Sequence, residues 1–370
     1  MKKWILILAM AFTACSEKSS ESPAASDGTQ AIVPPKVYKH FAYVGAQYTN
    51  LIHQFAIDAV TGVVAPLLTT PSIAAQNLPM ITAASFDGKT LVAINYSSNS
   101  VSSYQIAKSG ELSLVEHQAL DAGSAPGWVS AHPKLPIFYT ADSGLAQISI
   151  LDVDSAGQVS VRGHVAGGAG VTCLVLNKAG TFLYSVDQNA DRLSVYAIAA
   201  DGGLTLLTSA SLPAGSSPNQ ATLSADERFV YVANWGTQSV AGFSVQGNNL
   251  VSIGAPTASG TGGVYTVTVS PDGKRLFAAK PYGNNFSEHA IDPATGAIGT
   301  AVTTAANGSV GFTFWKDFVY HIKWNSAVIG LPIDTYRYSE NAGMGATPAS
   351  STLDGYRGIY RMTIVSVLQD

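Results

Sequence analysis

The feature that most constrains this chain is a pattern returning every 44 to 48 residues. The stretch Leu223-Ser224-Ala225-Asp226-Glu227-Arg228-Phe229-Val230-Tyr231-Val232-Ala233-Asn234 is echoed at Ser270-Pro271-Asp272-Gly273-Lys274-Arg275-Leu276-Phe277-Ala278-Ala279-Lys280. It is echoed again at Ser85-Phe86-Asp87-Gly88-Lys89-Thr90-Leu91-Val92-Ala93-Ile94-Asn95. Weaker copies begin at His132 and Asn177, and degenerate ones at Lys39 and Trp315. The turn residues of the copies fall at 39, 87, 134, 179, 226, 272 and 316, which makes seven units covering the chain from Val37 onward.

Each unit reads as strand, polar turn, strand, loop, strand, Asp-Gly-type turn, strand. Leu193-Ser194-Val195-Tyr196-Ala197-Ile198, then Ala200-Asp201-Gly202-Gly203, then Leu204-Thr205-Leu206-Leu207 shows the second half most clearly. Alternating apolar residues, frequent β-branching and Gly, Asp or Asn in the turns specify antiparallel strands. Four short strands at this period make a propeller blade, so the expected fold is all-β, a seven-bladed β-propeller. The last strand, Gly358-Ile359-Tyr360-Arg361-Met362-Thr363-Ile364-Val365, matches the innermost strand Gly263-Val264-Tyr265-Thr266-Val267-Thr268-Val269, yet no blade follows it. The first unit lacks an innermost strand, so the C-terminal strand is expected to close blade one and remove open edges.

Residues 1–14 carry two lysines, then the apolar run Trp4 to Phe12, then Thr13 and Ala14 before Cys15. This is an export signal, about half the roughly 20 apolar residues that a membrane-spanning helix needs. Small residues ahead of a lone cysteine resemble the bacterial lipobox, which implies lipidation of Cys15 and a membrane partner through that anchor, against the alternative of plain secretion with an incidental cysteine. Ser16 in the following position resembles outer-membrane sorting. The expected location is therefore the cell envelope. Residues 15–36, rich in Ser, Ala, Pro and Glu, read as a flexible tether ahead of a propeller domain at 37–370. With Cys15 acylated, Cys173 remains alone and no internal disulfide is expected.

Charged residues make up only 12% of the chain. Without residues 1–14 the count is 18 basic against 24 acidic side chains, a net −6, which excludes the basic footprint that nucleic-acid binding needs. The seven histidines are scattered with no two at ligand spacing, so neither a metal nor a cofactor is expected.

Tyr231-Val232-Ala233-Asn234 followed by Ser239-Val240 resembles the YVTN type of propeller repeat. The wider cadence, including Ile291-Asp292-Pro293-Ala294-Thr295-Gly296, resembles the seven-bladed lactonase family that includes 6-phosphogluconolactonase. The resemblance spans Val37 to Val367 and rests mostly on turn and core residues. It implies catalytic histidine, arginine and carboxylate groups near the starts of the innermost strands. Those places fall on Met80, on Pro218-Asn219-Gln220 and on Thr266-Val267-Thr268, none of them ionisable. Lactone hydrolysis needs a base for water and a donor for the oxyanion. A ligand- or partner-binding role is therefore the leading expectation, with lactone hydrolysis as the alternative and no catalytic residue assigned.

Equivalent positions in successive units become neighbours around a ring. At the end of the second strand these are Ala46, Asn95, Asp142, Asp187, Asn234, Lys280 and Lys323. Asn and Asp there cap the following loop or, for the pair Asp142 and Asp187, act as acid and base. Lys280 and Lys323, with His321, form a candidate anion site, against the alternative of solvated rim lysines. Trp128, Trp235, Trp324 and Tyr282 on the crossings and loops either wedge between blades or stack on a sugar or an envelope protein. Asn219 and Gln220 complete the set of ligand-binding candidates.

Overall fold

The computed structural model describes residues 37–283, 285–306, 308–323, 331–340, 343–345, 349–353 and 361–369; the description below is of these. Cys15 and Trp324 lie outside them, as do the signal and tether segments. Among the described residues no helix is long and apolar enough to cross a membrane.

Seven antiparallel sheets follow one another along the chain. Blade two shows the plan: Pro79–Ala84 innermost, then Thr90–Asn95, Ser100–Ile106 and Leu112–Ala119 outermost. Blade three begins with Pro126–Ala131, blade four with Val171–Leu176, blade five with Pro218–Leu223, blade six with Thr266–Val269 and blade seven with Ser309–Trp315. In blade one the order is Val64–Pro66, Leu51–Ile57, Val37–Ala46 and then the C-terminal Thr363–Gln369 as the innermost strand. Its register runs from Val37↔Gln369 to Tyr43↔Thr363. The ladder therefore begins at Thr363, later than the alternation alone places it, with Arg361 and Met362 left as its lead-in and residues 358–360 of the expected strand outside the described residues.

The repeated Ser-x-Asp turn has a local cause. In three blades the serine hydroxyl donates to the aspartate two residues on and accepts from the backbone N–H five residues on, as with Ser85, Ser224 and Ser270. That closes the turn through hydrogen bonds local to it. Apolar alternation then packs one blade on the next. Phe41, Tyr43 and Ile52 of blade one pack with Leu91 and Tyr104 of blade two. Phe229 and Tyr231 of blade five pack with Leu276 and Ile291 of blade six. Val44 and Phe55 of blade one meet Phe318, Tyr320 and Ile333 of blade seven, which closes the ring.

A second device crosses four of the seams. The phenol of the second-strand tyrosine donates to a glycine carbonyl in the next blade: Tyr43 to Gly110 at 2.7 Å, Tyr139 to Gly202 at 2.8 Å, Tyr231 to Gly296 at 3.0 Å and Tyr320 to Gly62 at 3.1 Å. The accepting turn requires glycine. Gly296 has φ +73°, and a Cβ there would lie 2.4 Å from the Phe229 ring. Tyr320→Phe is expected to lower stability by about 1 kcal/mol, the net value of one buried hydrogen bond, as read from the urea midpoint. An unchanged midpoint would mean the Tyr320 latch carries no load.

Candidate functional site at the mouth of the central lumen

The innermost strands enclose a central lumen of about 1020 Å³. Five of them carry a register shift at their first residues: between Pro79 and Thr82, beside Gly127, and beside Thr172, Asn219 and Val310. A bulge placed there turns a side chain that would otherwise follow the pleat. Thr172 and Asn219 use that turn to bind the neighbouring blade. Thr172 Oγ1 donates to Asn219 O at 2.9 Å, Asn219 Nδ2 to Tyr265 O at 2.8 Å, and Thr266 Oγ1 to Val310 O at 2.7 Å. Together they form a girdle linking blades four to seven.

This places the first two candidates. Asn219 is part of the girdle, and Gln220 accepts from Val267 N at 2.7 Å while donating to Ala221 O. Both line the lumen with their amides already engaged.

Trp128 lies just inside the mouth on blade three and is 7% exposed. Its indole donates to Ser130 Oγ at 3.0 Å, and Ser130 in turn donates to Leu174 O of blade four at 2.8 Å. Over its ring sits Arg361, with the guanidinium carbon 5.1 Å from the ring centre. Arg361 comes from blade one and so reaches past blade two to stack on blade three. Arg361 is exposed to the solvent of the lumen, and partial desolvation by the surrounding walls lowers its pKa from the ordinary arginine value. Arginine keeps its charge even so. No carboxylate pairs with it among the described residues, and no Asp, Glu or His lines the lumen among them. The other described lumen cation, Lys178, belongs to the opposite rim, where its ammonium is given to Ala225 O.

Arg361 was not among the residues singled out from the sequence. Cross-strand register shows where to look: Thr363 opposes Tyr43, Ser130 opposes Tyr139 and Thr222 opposes Tyr231. Two residues before each stand Arg361, Trp128 and Gln220, which share one ring position at the mouth.

The ring at the end of the second strand is buried. Asn95, Asp142, Asp187, Asn234 and Lys280 are all 0% exposed. Their side chains reach across to the third strand: Asn95 to Ser100 and Ser102, Asp142 to Ser149 and Gln147, Asn234 to Ser239. Asp187 accepts from Ser194 at 2.7 Å and from Arg192 Nε at 3.0 Å. Burial raises the Asp142 pKa against the pull of its hydrogen bonds. The two aspartates thus sit in separate networks, each tied within its own blade.

Lys280 gives its ammonium to Ser259 O and, at 2.5 Å, to Ser287 Oγ, and desolvation brings its pKa down to about 8. Lys323 pairs with Asp334. His321 is buried, stacks on Phe312 at 4.6 Å and meets Ser309 Oγ at 2.9 Å. Burial, with a smaller contribution from Lys323, holds its pKa down to about 3. Trp235 packs edge-on against Tyr265 at 6.2 Å and Tyr282 at 5.4 Å, and Tyr282 is 64% exposed. The crossing glycine Gly263, at φ +66°, presses on Trp235, where a Cβ would come within 2.8 Å of the indole. Among the described residues no group of His, Cys, Asp and Glu could hold a metal ion.

The family model for the seven-bladed β-propeller lactonases matches residues 110–224, 137–262 and 220–315. The chain belongs to this family. A candidate 6-phosphogluconolactonase from Bacteroides uniformis superposes with a TM-score of 0.77 at 20% identity, covering 88% of this chain and 99% of that one. The periplasmic gluconolactonase of Pseudomonas aeruginosa gives 0.73 at 20% identity, with 89% and 99% covered. A Bacteroides fragilis candidate 6-phosphogluconolactonase gives 0.74 at 18% identity, with 94% and 100% covered. At these identities the likeness is one of fold. No curated protein matches the sequence significantly. For this lactonase-family propeller, the mouth residues must therefore argue the chemistry themselves.

Proposed function

We propose that this lactonase-family propeller is a binding protein of the cell envelope, taking a small ligand with a carboxylate or phosphate group at the Arg361 mouth. The observation that carries this reading is the Arg361 guanidinium, open to the lumen, set over the Trp128 ring and without an acidic partner among the described residues. A cation that faces the lumen with no counter-charge beside it attracts an anion entering there. Arginine offers two parallel donors to a planar anion. The Trp128 ring, 5.1 Å from the guanidinium carbon, helps to hold it in place.

Lactone hydrolysis is the second reading, favoured by family membership and by a cation able to hold an oxyanion. The described lumen residues offer hydroxyls and amides where that reaction needs a base for water. Binding therefore ranks first.

Gluconate and 6-phosphogluconate are suitable probes, followed by calorimetry and by Trp emission. Arg361→Met is expected to weaken binding by about 10- to 100-fold, the range of one charge-assisted hydrogen-bonded contact. Equal affinity in parent and variant would remove Arg361 from the account. Glucono-δ-lactone followed by pH-stat ranks the two readings: turnover above the spontaneous rate that disappears in Arg361→Met would put hydrolysis first.

A further inference from the structure

The chain joins the propeller on the face opposite the Arg361 mouth. Arg361 leads into the upper end of the innermost strand of blade one, and Val37 pairs with Gln369 at its lower end. Six steps at about 3.3 Å separate the two levels by roughly 20 Å.

Around Val37 the lower face is unusual for a chain with so few charges. Val37 is 61% exposed, Tyr38 44%, Phe86 52% and Leu368 42%. Tyr38 and Leu368 are directly opposed, so their side chains share one side of the sheet. The turn carrying Phe86 lies against the same strand, since a Cβ on Gly88 would stand 3.3 Å from Val365 Cγ1. On the blade-seven side Trp315 packs on His40 at 4.6 Å, with the Lys316 ammonium 4.5 Å from its ring centre. Lys39, Lys89, Lys108 and Lys316 are exposed around this group, and the Lys108 turn is tied to the last strand by Gln369 Nε2 donating to Lys108 O. Of the acids nearby, Asp87 faces Lys89 at 3.6 Å, Asp317 is paired with Arg337, Glu111 accepts from Thr69, Thr70 and Ser109, and exposed Asp58 caps its own turn by accepting from Val60 N and Thr61 N.

Exposed aromatic and aliphatic side chains ringed by lysines suit the boundary between lipid headgroups and acyl chains. We infer that the lower face of blades seven, one and two rests on an anionic lipid surface and so turns the Arg361 mouth away from the membrane. The inference rests on the lipidation of Cys15 that the sequence implies. Residues 15–36, which the sequence reads as a tether, lead into this face at Val37.

The test uses the processed chain purified from its host envelope, with mass spectrometry reading the acyl group on Cys15. The chain is placed in vesicles of phosphatidylcholine with 30% phosphatidylglycerol (a chosen composition), and hydrogen exchange is followed. Protection is expected at residues 85–90, 107–110 and 315–318, and none at the mouth loops 143–146 and 235–238. Lys39→Glu with Lys89→Glu should abolish it. Protection at the mouth loops, or at neither set in an acylated chain, would overturn the inference. If Cys15 carries no acyl group, the lipidation reading fails by itself, and the face is judged on sedimentation with the same vesicles. Binding that falls about tenfold for each lysine reversed supports it, and binding indifferent to both reversals overturns it.

Discussion

A chain ending at residue 360 is expected to have no cooperative unfolding transition. Removing residues 361–370 takes away the innermost strand of blade one, and with it the whole ladder from Val37↔Gln369 to Tyr43↔Thr363. Met362, 2% exposed, leaves the cluster joining blades seven and one, and Val365, 5% exposed, leaves the cluster joining blades one and two. Buried side chains of this size contribute about 2 to 5 kcal/mol each, against a typical total stability of 5 to 15 kcal/mol. The first strand also becomes an open edge, inviting association between chains. Scanning calorimetry and near-ultraviolet circular dichroism would read the loss, and a synthetic peptide of residues 361–369 added to the shortened chain should restore the transition. A shortened chain melting like its parent would sink the closure argument.

Acid is expected to weaken the fold well before the carboxylates titrate. Burial holds His321 down to about 3 and His53 down to about 4, both below the ordinary 6.5. Both stay neutral in the folded chain, while the unfolded chain takes up protons below 6.5. The unfolded state thus binds more protons, and stability falls as pH drops through 6.5 toward 4. At pH 5 each of these two histidines costs about 2 kcal/mol relative to neutral pH, about 4 kcal/mol together, and His40, His132 and His289, also lowered by burial, add to the loss. Asp142, pushed up by burial, works in the opposite direction. Asp226 and Asp272, whose pKa values are lowered by Ser and Arg or Lys hydrogen bonds against their partial burial, add their own loss only below pH 4. Urea midpoints at pH 7 and pH 5 measure the slope, and His321→Gln should recover about 2 kcal/mol of the loss at pH 5 while keeping a donor near Ser309. A variant with the parent's slope would show that His321 is not the sensor.

The ring was legible because its signals are local and repeated. Ser-x-Asp turns, alternating apolar strands and a surplus innermost strand at the C-terminus each have a cause within a dozen residues, and the closure at Thr363–Gln369 follows from counting strands. The site was less legible because its meaning lies between blades. Asn219 and Gln220 read as free amides until the neighbouring Tyr265 and Val267 backbones are seen to engage them. Lys280 looks like a rim cation, since nothing in its own strand announces that Ser259 from the preceding crossing will cover it. Arg361 was hidden for a different reason: it sits in the one innermost strand displaced to the far end of the chain, where no blade follows to set the count.

The meeting of Val37 and Gln369 on a single rung also separates covalent order from spatial order. A short linker across that rung would make the backbone a continuous loop, and new termini could then be cut into any crossing between blades without disturbing a wedge. Circular permutants opened between Ala166 and Val171, or between Ser211 and Pro218, would keep every seam, latch and girdle contact while moving the chain ends to other sectors of the rim.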